Sequence, residues 1–254
     1  MKSYQIYSFR VCNRMRDSSF FCLHTTPGKE IPISYYFWGL KASDEFILVD
    51  TGFSSEAVKR RKADVTDFRS PQKLLKTVGI DPEKIEKVIL THLHWDHCES
   101  LDLFQNAVFF VQKRELEFVT GSYSRHPAIK EFIDVDPILE LLRLNYEGRL
   151  VILDGDYQIG EGIRLIRMGG HTPGSQVVKV NTEKGDILIS GDVIPLYRNM
   201  LEGVPPGIYS DLVEVLVAYE RIGEMVKSLD AFMPGHDPIV ADRFPFDGGI
   251  ARIA

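Results

Sequence analysis

Paired cysteines, long apolar runs and an excess of positive charge are all missing from this chain of 254 residues. No uninterrupted hydrophobic run approaches the roughly 18 to 20 residues that cross a bilayer, so we expect no membrane partner. The three cysteines, Cys12, Cys22 and Cys98, are odd in number and lack a spacing pattern, which disfavours a disulfide scaffold. The N-terminus also lacks the charged and then apolar pattern of an export signal. Together these absences predict a cytoplasmic protein.

Acidic side chains outnumber basic ones by 36 to 30, which gives a formal net charge of -6 at pH 7. Because a nucleic-acid partner requires a broad basic surface, we expect none here. The same charge balance disfavours polyanionic substrates, although it leaves a local basic patch open. A hydrophobic share of 44% with 26% charged residues is typical of a globular protein.

Predicted strands and helices mix along the whole chain. The strands are predicted at 35–40, 46–49, 88–90, 150–153, 163–167, 177–180, 187–189 and 231–233. Ser70 and Pro71 open a short helix that ends at Gly79, and an apolar face predicts another helix over 211–228. No linker separates the two halves, so we expect one layered α/β domain over residues 1–254.

The stretch 113–147 is predicted to be mostly helical. Its apolar stripe of Ile138, Leu141 and Leu144 is typical of helices that pack on a core. The same stretch carries aromatic side chains such as Phe132, which suit the roof of a pocket. The pattern alone leaves both alternatives open, a core element or an insertion over a site.

Three histidines and an aspartate follow a predicted buried strand within six positions, as His92-Leu93-His94-Trp95-Asp96-His97. Chance explains this cluster poorly, because its odds in a chain of this composition are on the order of 1 in 1,000. Alternate residues at a strand end share a face, so His92 and His94 can bind one ion together. Asp96 and His97 follow once the chain has turned and can reach a second ion. Imidazole and carboxylate donors suit zinc, iron or manganese.

Three further candidate ligands each follow a predicted strand inside a turn that contains glycine. They are His171, Asp192 and His236. The neighbouring glycines let the backbone approach a bound ion closely. Five of the seven histidines are thereby placed. His24 and His126 have no neighbour at ligand spacing and are interpreted as ordinary structural side chains.

This ordered ligand set resembles that of the metallo-β-lactamase superfamily. The motifs that carry the resemblance are His92-x-His94-x-Asp96-His97, His171, Asp192, His236 and the upstream turn Leu48-Val49-Asp50-Thr51-Gly52. The resemblance spans about residues 35–240. It implies an αββα sandwich, in which two mixed β-sheets are flanked by helices and the site lies at the sheet edge.

The resemblance also implies two divalent metal ions, most typically Zn²⁺. Carried over by position, it puts His92, His94 and His171 on the first ion, Asp96, His97 and His236 on the second, and Asp192 between them. Asp50 would then hold a ligand imidazole by its other ring nitrogen.

Within the superfamily the chain is most similar to the quorum-quenching N-acyl homoserine lactone lactonases. They share its size, its ligands, a central helical segment and a Pro-Gly-Ile segment like 206–208. The similarity implies a hydrolase in which metal-bound hydroxide attacks a lactone carbonyl and Asp96 protonates the leaving alkoxide. The lactonases place a substrate-contacting tyrosine three residues after the bridging aspartate, where this chain has Pro195. Tyr197 is the nearest tyrosine and is the second candidate catalytic residue.

Two other activities use related ligands. One is a thioesterase similar to glyoxalase II, and the other is an iron-dependent oxidoreductase similar to persulfide dioxygenase. The metal content of the protein separates the second from a zinc hydrolase. In each hydrolytic alternative the partner is a small-molecule lactone or ester. The sequence sets neither the acyl-chain preference nor the oligomeric state.

Overall fold

Two β-sheets stack face to face in the computed structural model, which describes residues 2–254. The strands are β1 (Gln5–Asp17), β2 (Glu30–Lys41), β3 (Phe46–Val49), β4 (Lys87–Ile89), β5 (Val108–Gln112), β6 (Leu150–Leu153), β7 (Tyr157–Gln158), β8 (Ile163–Arg167), β9 (Gln176–Thr182), β10 (Gly185–Ile189), β11 (Phe232–Met233), β12 (Phe246–Asp247) and β13 (Ile250–Arg252). The first sheet has the order β12-β13-β1-β2-β3-β4-β5-β6, and the second has the order β11-β10-β9-β8-β7.

Both sheets are mixed, which confirms the expected sandwich. In the first sheet β1, β2 and β3 pair antiparallel, whereas β3 to β6 run parallel. In the second sheet β10 pairs parallel with β11 and the other neighbours are antiparallel. Loops that follow parallel strands gather at one edge of a sheet, so the topology itself creates a place for a site.

Helices flank the two sheets. They are α1 (Ser55–Arg60), α2 (Pro71–Thr77), α3 (Trp95–Cys98), α4 (Lys113–Thr120), α5 (Pro127–Lys130), α6 (Val135–Tyr146), α7 (Tyr197–Glu202), α8 (Leu212–Met225) and α9 (Ile239–Arg243). The Ser70 side chain accepts a hydrogen bond from the Lys73 amide, and Pro71 occupies the first turn of α2. Asp211 caps α8 in the same way through the Glu214 amide. These caps satisfy amides that have no partner inside the helix.

Alternate residues of the first sheet face two different cores. Trp38 and Val49 pack between the sheets, whereas Phe37 and Leu48 pack on the opposite face, under α2 and α6. All four side chains are buried. Each such side chain contributes roughly 1.5 to 3 kcal/mol through removal of apolar surface from water. The central strands read as continuous apolar runs because both of their faces are covered.

The predicted strands and the two predicted helices are present, but the sequence prediction missed β1, β5, β7, β12 and β13. The omission of β1 matters most, because this strand has 13 residues and pairs with β2 over nearly its whole length. Its second half contains Asn13, Arg14, Arg16 and Asp17, whose polar character hides a strand from pattern reading.

The stretch 113–147 is largely helical, as predicted, and supplies α4, α5 and α6 between β5 and β6. Ile138, Leu141 and Leu144 are buried against the first sheet. Phe132, between α5 and α6, reaches the edge of the sandwich where the candidate ligands lie. The stretch therefore combines the two roles that its sequence pattern left open.

None of the helices within residues 2–254 has both the length and the apolar character needed to cross a bilayer.

Candidate metal centre

The seven predicted ligands converge at one edge of the sandwich, beyond the ends of four different strands. The segment 92–97 follows β4, His171 follows β8, Asp192 follows β10 and His236 follows β11. All seven side chains are buried. They form two adjoining groups, His92, His94, His171 and Asp192 in one, and Asp96, His97 and His236 in the other. Within each group the ligand atoms lie within 4.8 Å of one another.

Asp192 lies between the two groups. Its Oδ1 is 2.9 Å from Nε2 of His236 and 3.2 Å from Nε2 of His97. Its Oδ2 is 3.5 Å from Nε2 of His171 and 3.9 Å from Nε2 of His92. One carboxylate oxygen therefore faces each group, which is the arrangement a bridging ligand needs.

The donor atoms fit bound metal ions. Nε2 of His92, Nε2 of His97 and Oδ1 of Asp192 are buried yet have no hydrogen-bond partner among residues 2–254. Buried polar atoms without partners are costly, so three of them aimed into one space fit a bound cation. Imidazole nitrogen and carboxylate oxygen are the donors that zinc and similar divalent ions take.

The protonation tendencies point the same way. Burial, with the neighbouring His97 charge, holds the pKa of His92 well below its ordinary value, so that its imidazole is neutral and able to bind metal. Burial alone would also lower the pKa of His97, but the carboxylates of Asp192, Asp96 and Asp50 outweigh it and hold that pKa well above the usual range. The carboxylates thus stabilise a positive charge beside them, and bound metal ions would supply that charge in place of protons.

Four candidate ligand imidazoles are oriented through their second ring nitrogen, and in His92 this Nδ1 lies 3.1 Å from the Thr91 hydroxyl. Nδ1 of His97 lies 2.7 Å from Oδ2 of Asp50, as expected for that aspartate. Nδ1 of His171 donates to the Ile208 carbonyl at 2.9 Å, and Nδ1 of His236 donates to the Ser34 carbonyl at 3.0 Å. Each contact leaves Nε2 free to face the metal space, and such contacts commonly tune metal sites.

Glu115, on α4, connects the loop that contains Leu93 to the loop that contains Thr172. The sequence analysis did not identify this residue. Its Oε1 accepts a hydrogen bond from the Leu93 amide at 2.9 Å, while its Oε2 accepts from the Thr172 hydroxyl at 2.7 Å and the Gly174 amide at 3.0 Å. The side chain is fully buried, and burial raises the pKa of its carboxyl. A glutamate within a helix gives no sequence signal of such a role.

A cavity of about 200 Å³ opens onto the two ligand groups. It is bordered by Arg14, Arg16, Phe21, Tyr35, Arg61, His94, Trp95, Asp96, Glu131, Phe132, Asp192, Ile208 and His236. The Phe132 ring packs on His94 with ring centres 5.3 Å apart, so the helical segment does cover part of the site.

His24 and His126 lie outside both ligand groups.

Tyr197 does not reach this cavity, contrary to its expected place at the site. Its ring is buried in the core between the sheets, and its hydroxyl donates to the Phe232 carbonyl at 3.0 Å. The loop after Asp192 turns into α7, which directs the tyrosine away from the ligands. A different tyrosine, Tyr35 on β2, lines the cavity, and its hydroxyl makes no hydrogen bond to any described residue.

The family follows from a comparison with known proteins. The model of the metallo-beta-lactamase superfamily matches residues 32–236, which include both ligand groups. The chain belongs to the metallo-β-lactamase superfamily. Membership accounts for the mixed double sheet and for candidate ligands drawn from several strand ends.

Within this superfamily the chain is similar to several N-acyl homoserine lactonases. It is 32% identical to one from Bacillus sp over 84% of each chain, and 31% identical to one from Bacillus cereus over 84% of each chain.

Solved structures of the superfamily resemble it over nearly the full length. A quorum-quenching N-acyl homoserine lactone lactonase aligns with a TM-score of 0.78 and 29% identity over 94% of both chains. An N-acyl homoserine lactone hydrolase, solved with the product N-hexanoyl-L-homoserine at its catalytic metal centre, aligns with a TM-score of 0.79 and 26% identity over 96% of this chain and 97% of that one.

Proposed function

We propose that this protein is a dinuclear metal-dependent hydrolase that opens the ring of N-acyl homoserine lactones. The observation that carries the proposal is the convergence of two complete His and Asp groups on one cavity, with Asp192 between them. Its similarity to N-acyl homoserine lactonases over 84% of the chain supports the choice of substrate. An open site with a full ligand set is the arrangement of catalytic rather than purely structural metal sites.

We assign His92, His94 and His171 to one ion and Asp96, His97 and His236 to the other, with Asp192 shared. We also assign Zn²⁺ to both positions, because this mixture of imidazole and carboxylate suits zinc. When bound, the two ions would lower the pKa of a water molecule and polarise the ester carbonyl. Elemental analysis of the purified protein tests the assignment, and iron in place of zinc would contradict it.

Asp96 is the residue we assign to proton transfer. It lies at the cavity wall, and its carboxylate can take the proton that the attacking water gives up. The same carboxyl group can then protonate the alkoxide oxygen that leaves when the ring opens. Phe132 and Trp95 border the cavity, and the Phe132 ring packs on His94.

The proposal is tested by turnover of metal-loaded protein on lactones, thioesters, β-lactams and phosphodiesters. We expect lactones to be hydrolysed fastest, and a chelator to abolish the reaction. Asp96→Asn should lose at least about 100-fold in kcat, the usual scale of general acid–base catalysis. Asp186→Asn, which alters a surface aspartate paired with Lys179, is the matched control. Full turnover of Asp96→Asn with intact metal content would contradict the role of Asp96.

A thioesterase similar to glyoxalase II and an oxidoreductase similar to persulfide dioxygenase are the weaker alternatives, because the relatives named above are lactonases. Faster turnover of thioesters than of lactones in the same assay would favour the first.

We further propose that residues 1–254 fold as one unit in a reducing compartment. Support comes from the three buried, unpaired cysteines.

A further inference from the structure

The paired strands β1 and β2 form a ribbon that reaches beyond the rest of the first sheet. β2 pairs with β1 from Glu30 to Lys41, but with β3 only from Trp38 to Lys41. The projecting half of the ribbon lies against the metal centre, because the Ser34 amide donates to the His236 carbonyl at 2.9 Å. One wall of the cavity is therefore built from this ribbon.

The register of the ribbon puts two arginines on the face that carries Tyr35. Cys12 is the partner of Tyr35, Arg14 is the partner of Ile33 and Arg16 is the partner of Ile31. Paired residues and every second residue share a face of a ribbon, so the two arginines follow Tyr35 in a row at steps of about 7 Å. Arg14 and Arg16 both border the metal cavity.

Neither Arg14 nor Arg16 forms an ion pair with the described residues. Arg61, the third arginine of the cavity, is by contrast held by the Asp134 carboxylate at 2.7 Å and by the Glu131 carbonyl at 2.6 Å. The guanidinium of Arg16 instead lies over the Phe20 ring at 4.3 Å, which fixes its position without neutralising it. Two half-buried positive charges therefore face the cavity without partners.

The acidic groups near these arginines are engaged elsewhere or exposed. The Asp17 carboxylate accepts from the Ser19 amide at 2.9 Å and from the Gly28 amide at 2.8 Å. Glu30, Asp64, Glu131 and Asp242 are exposed and make no ion pair with either arginine. Asp96 and Asp192 belong to the metal centre, where bound divalent ions would offset their charge.

The arginines also border a second, outer groove of about 740 Å³. Arg14 and Arg16 are the residues that line both spaces. The other β1 residues of the groove, such as Asn13, Met15 and Asp17, alternate with the arginines and lie on the opposite face of the ribbon, so an acyl chain meets both guanidiniums at the wall of the metal cavity.

We propose that Arg14 and Arg16 bind a carboxylate on the acyl chain of the substrate, so that the enzyme prefers lactones with negatively charged chains. This inference rests on the proposed lactone hydrolysis. Guanidinium groups bind carboxylates through paired, charge-assisted hydrogen bonds, which a terminal methyl group cannot replace. The preference expresses itself in substrate binding, since the arginines lie along the acyl chain rather than at the reacting ester.

The test compares N-acyl homoserine lactones of equal chain length that end either in a carboxylate or in a methyl group, over several lengths. We expect kcat/KM to favour the carboxylate chain by about tenfold at its best length, mainly through KM. Added salt should reduce this ratio, because a half-buried ion pair is partly screened. In the double variant Arg14→Gln/Arg16→Gln the ratio should fall to about one.

Arg164→Gln is the matched control, because Arg164 is a surface arginine of β8 paired with Asp156 and remote from the cavity wall. It should keep the wild-type ratio. Thermal unfolding and metal content show whether the double variant is folded. A wild-type enzyme without preference for the carboxylate chain, or a double variant that keeps the preference, would overturn the inference.

A measurement of product binding tests the anion site without relying on turnover. Calorimetry with the ring-opened products of the same two chains, added to metal-loaded protein, should show about tenfold tighter binding of the carboxylate-ended product. The double variant should bind both products equally. If neither lactone is hydrolysed, the proposed function fails, and this comparison still supports or refutes the anion site.

Discussion

Nδ1 of His97 lies 2.7 Å from Oδ2 of Asp50, and both side chains are buried. The same carboxylate accepts from the Thr91 amide at 2.7 Å and from the Thr91 hydroxyl at 2.8 Å. Asp50 adopts a left-handed backbone conformation with φ of 62°, which is costly for a residue other than glycine. This strained turn holds one carboxylate where it fixes both the loop that begins at Thr91 and the imidazole of His97.

Asp50→Asn should weaken metal binding at the position held by His97. The amide lacks the negative charge that favours a protonated Nδ1, so the imidazole loses both orientation and basicity. We expect a loss of about 10 to 100-fold in metal affinity, measured by competition with a chelator of known affinity. Asp186→Asn serves as the surface control. Unchanged affinity in Asp50→Asn would contradict the role of this carboxylate.

Glu115→Gln should destabilise the protein by about 1 to 3 kcal/mol, the range for leaving buried donors without acceptors. Both carboxylate oxygens of Glu115 accept hydrogen bonds. In the variant one of these oxygens is replaced by an NH₂ group, which cannot accept, so the donor facing it loses its hydrogen bond. Urea unfolding measures the change. Glu117→Gln is the matched control on the same helix, because Glu117 is exposed and makes no side-chain contact of this kind. Equal stability of the two variants would show that Glu115 does not tie the ligand loops together.

Gly235→Ala should force two metal loops apart. A Cβ at Gly235 would lie 2.6 Å from the Gly191 carbonyl oxygen and 2.8 Å from Oδ1 of Asp192. We expect loss of bound metal and of activity, read out by elemental analysis and lactone turnover. Gly223→Ala, in α8, meets only Met200 Cε at 3.5 Å and should be neutral or stabilising by up to about 1 kcal/mol. Full metal occupancy in Gly235→Ala would refute this close approach.

Tyr35→Phe should lower kcat/KM for lactones by about 2 to 10-fold, the value of one hydrogen bond. Tyr35 lines the cavity, and burial raises the pKa of its hydroxyl, which therefore stays a neutral donor available to a substrate oxygen. Steady-state kinetics with metal-loaded protein measure the change. Tyr36→Phe is the adjacent control, because the Tyr36 hydroxyl donates to the Asp237 carbonyl at 3.2 Å between the sheets. A larger loss in Tyr36→Phe than in Tyr35→Phe would contradict this assignment.

The candidate ligands could be picked out from the sequence because metal chemistry restricts residue types strongly. His92, His94, Asp96 and His97 stand close together along the chain, and the more distant ligands sit in glycine-containing turns after strands. The apolar runs of β3 and β4 were equally visible, since strands covered on both faces carry few polar residues.

The residues around the ligands could not be found in this way. Glu115 acts on loops that are 22 and 57 residues away, so nothing near it in the sequence marks its role. Tyr197 was chosen by its nearness to Asp192 along the chain, but the start of α7 turns it into the core. Tyr35 lies far from Asp192 in the sequence and borders the same cavity only through the pairing of β2 with the His236 loop.

The sequence by itself determined the superfamily, the candidate ligands and the mixed α/β character, because each depends on residue types in a fixed order. Only the tertiary structure decided which hydroxyl and which charges border the metal centre. The polar half of β1 gives no strand pattern, and the side on which Arg14 and Arg16 lie is set by their register with β2. A shift of that register by one residue would turn both arginines to the opposite face, so the positive wall is a property of the pairing rather than of the sequence alone.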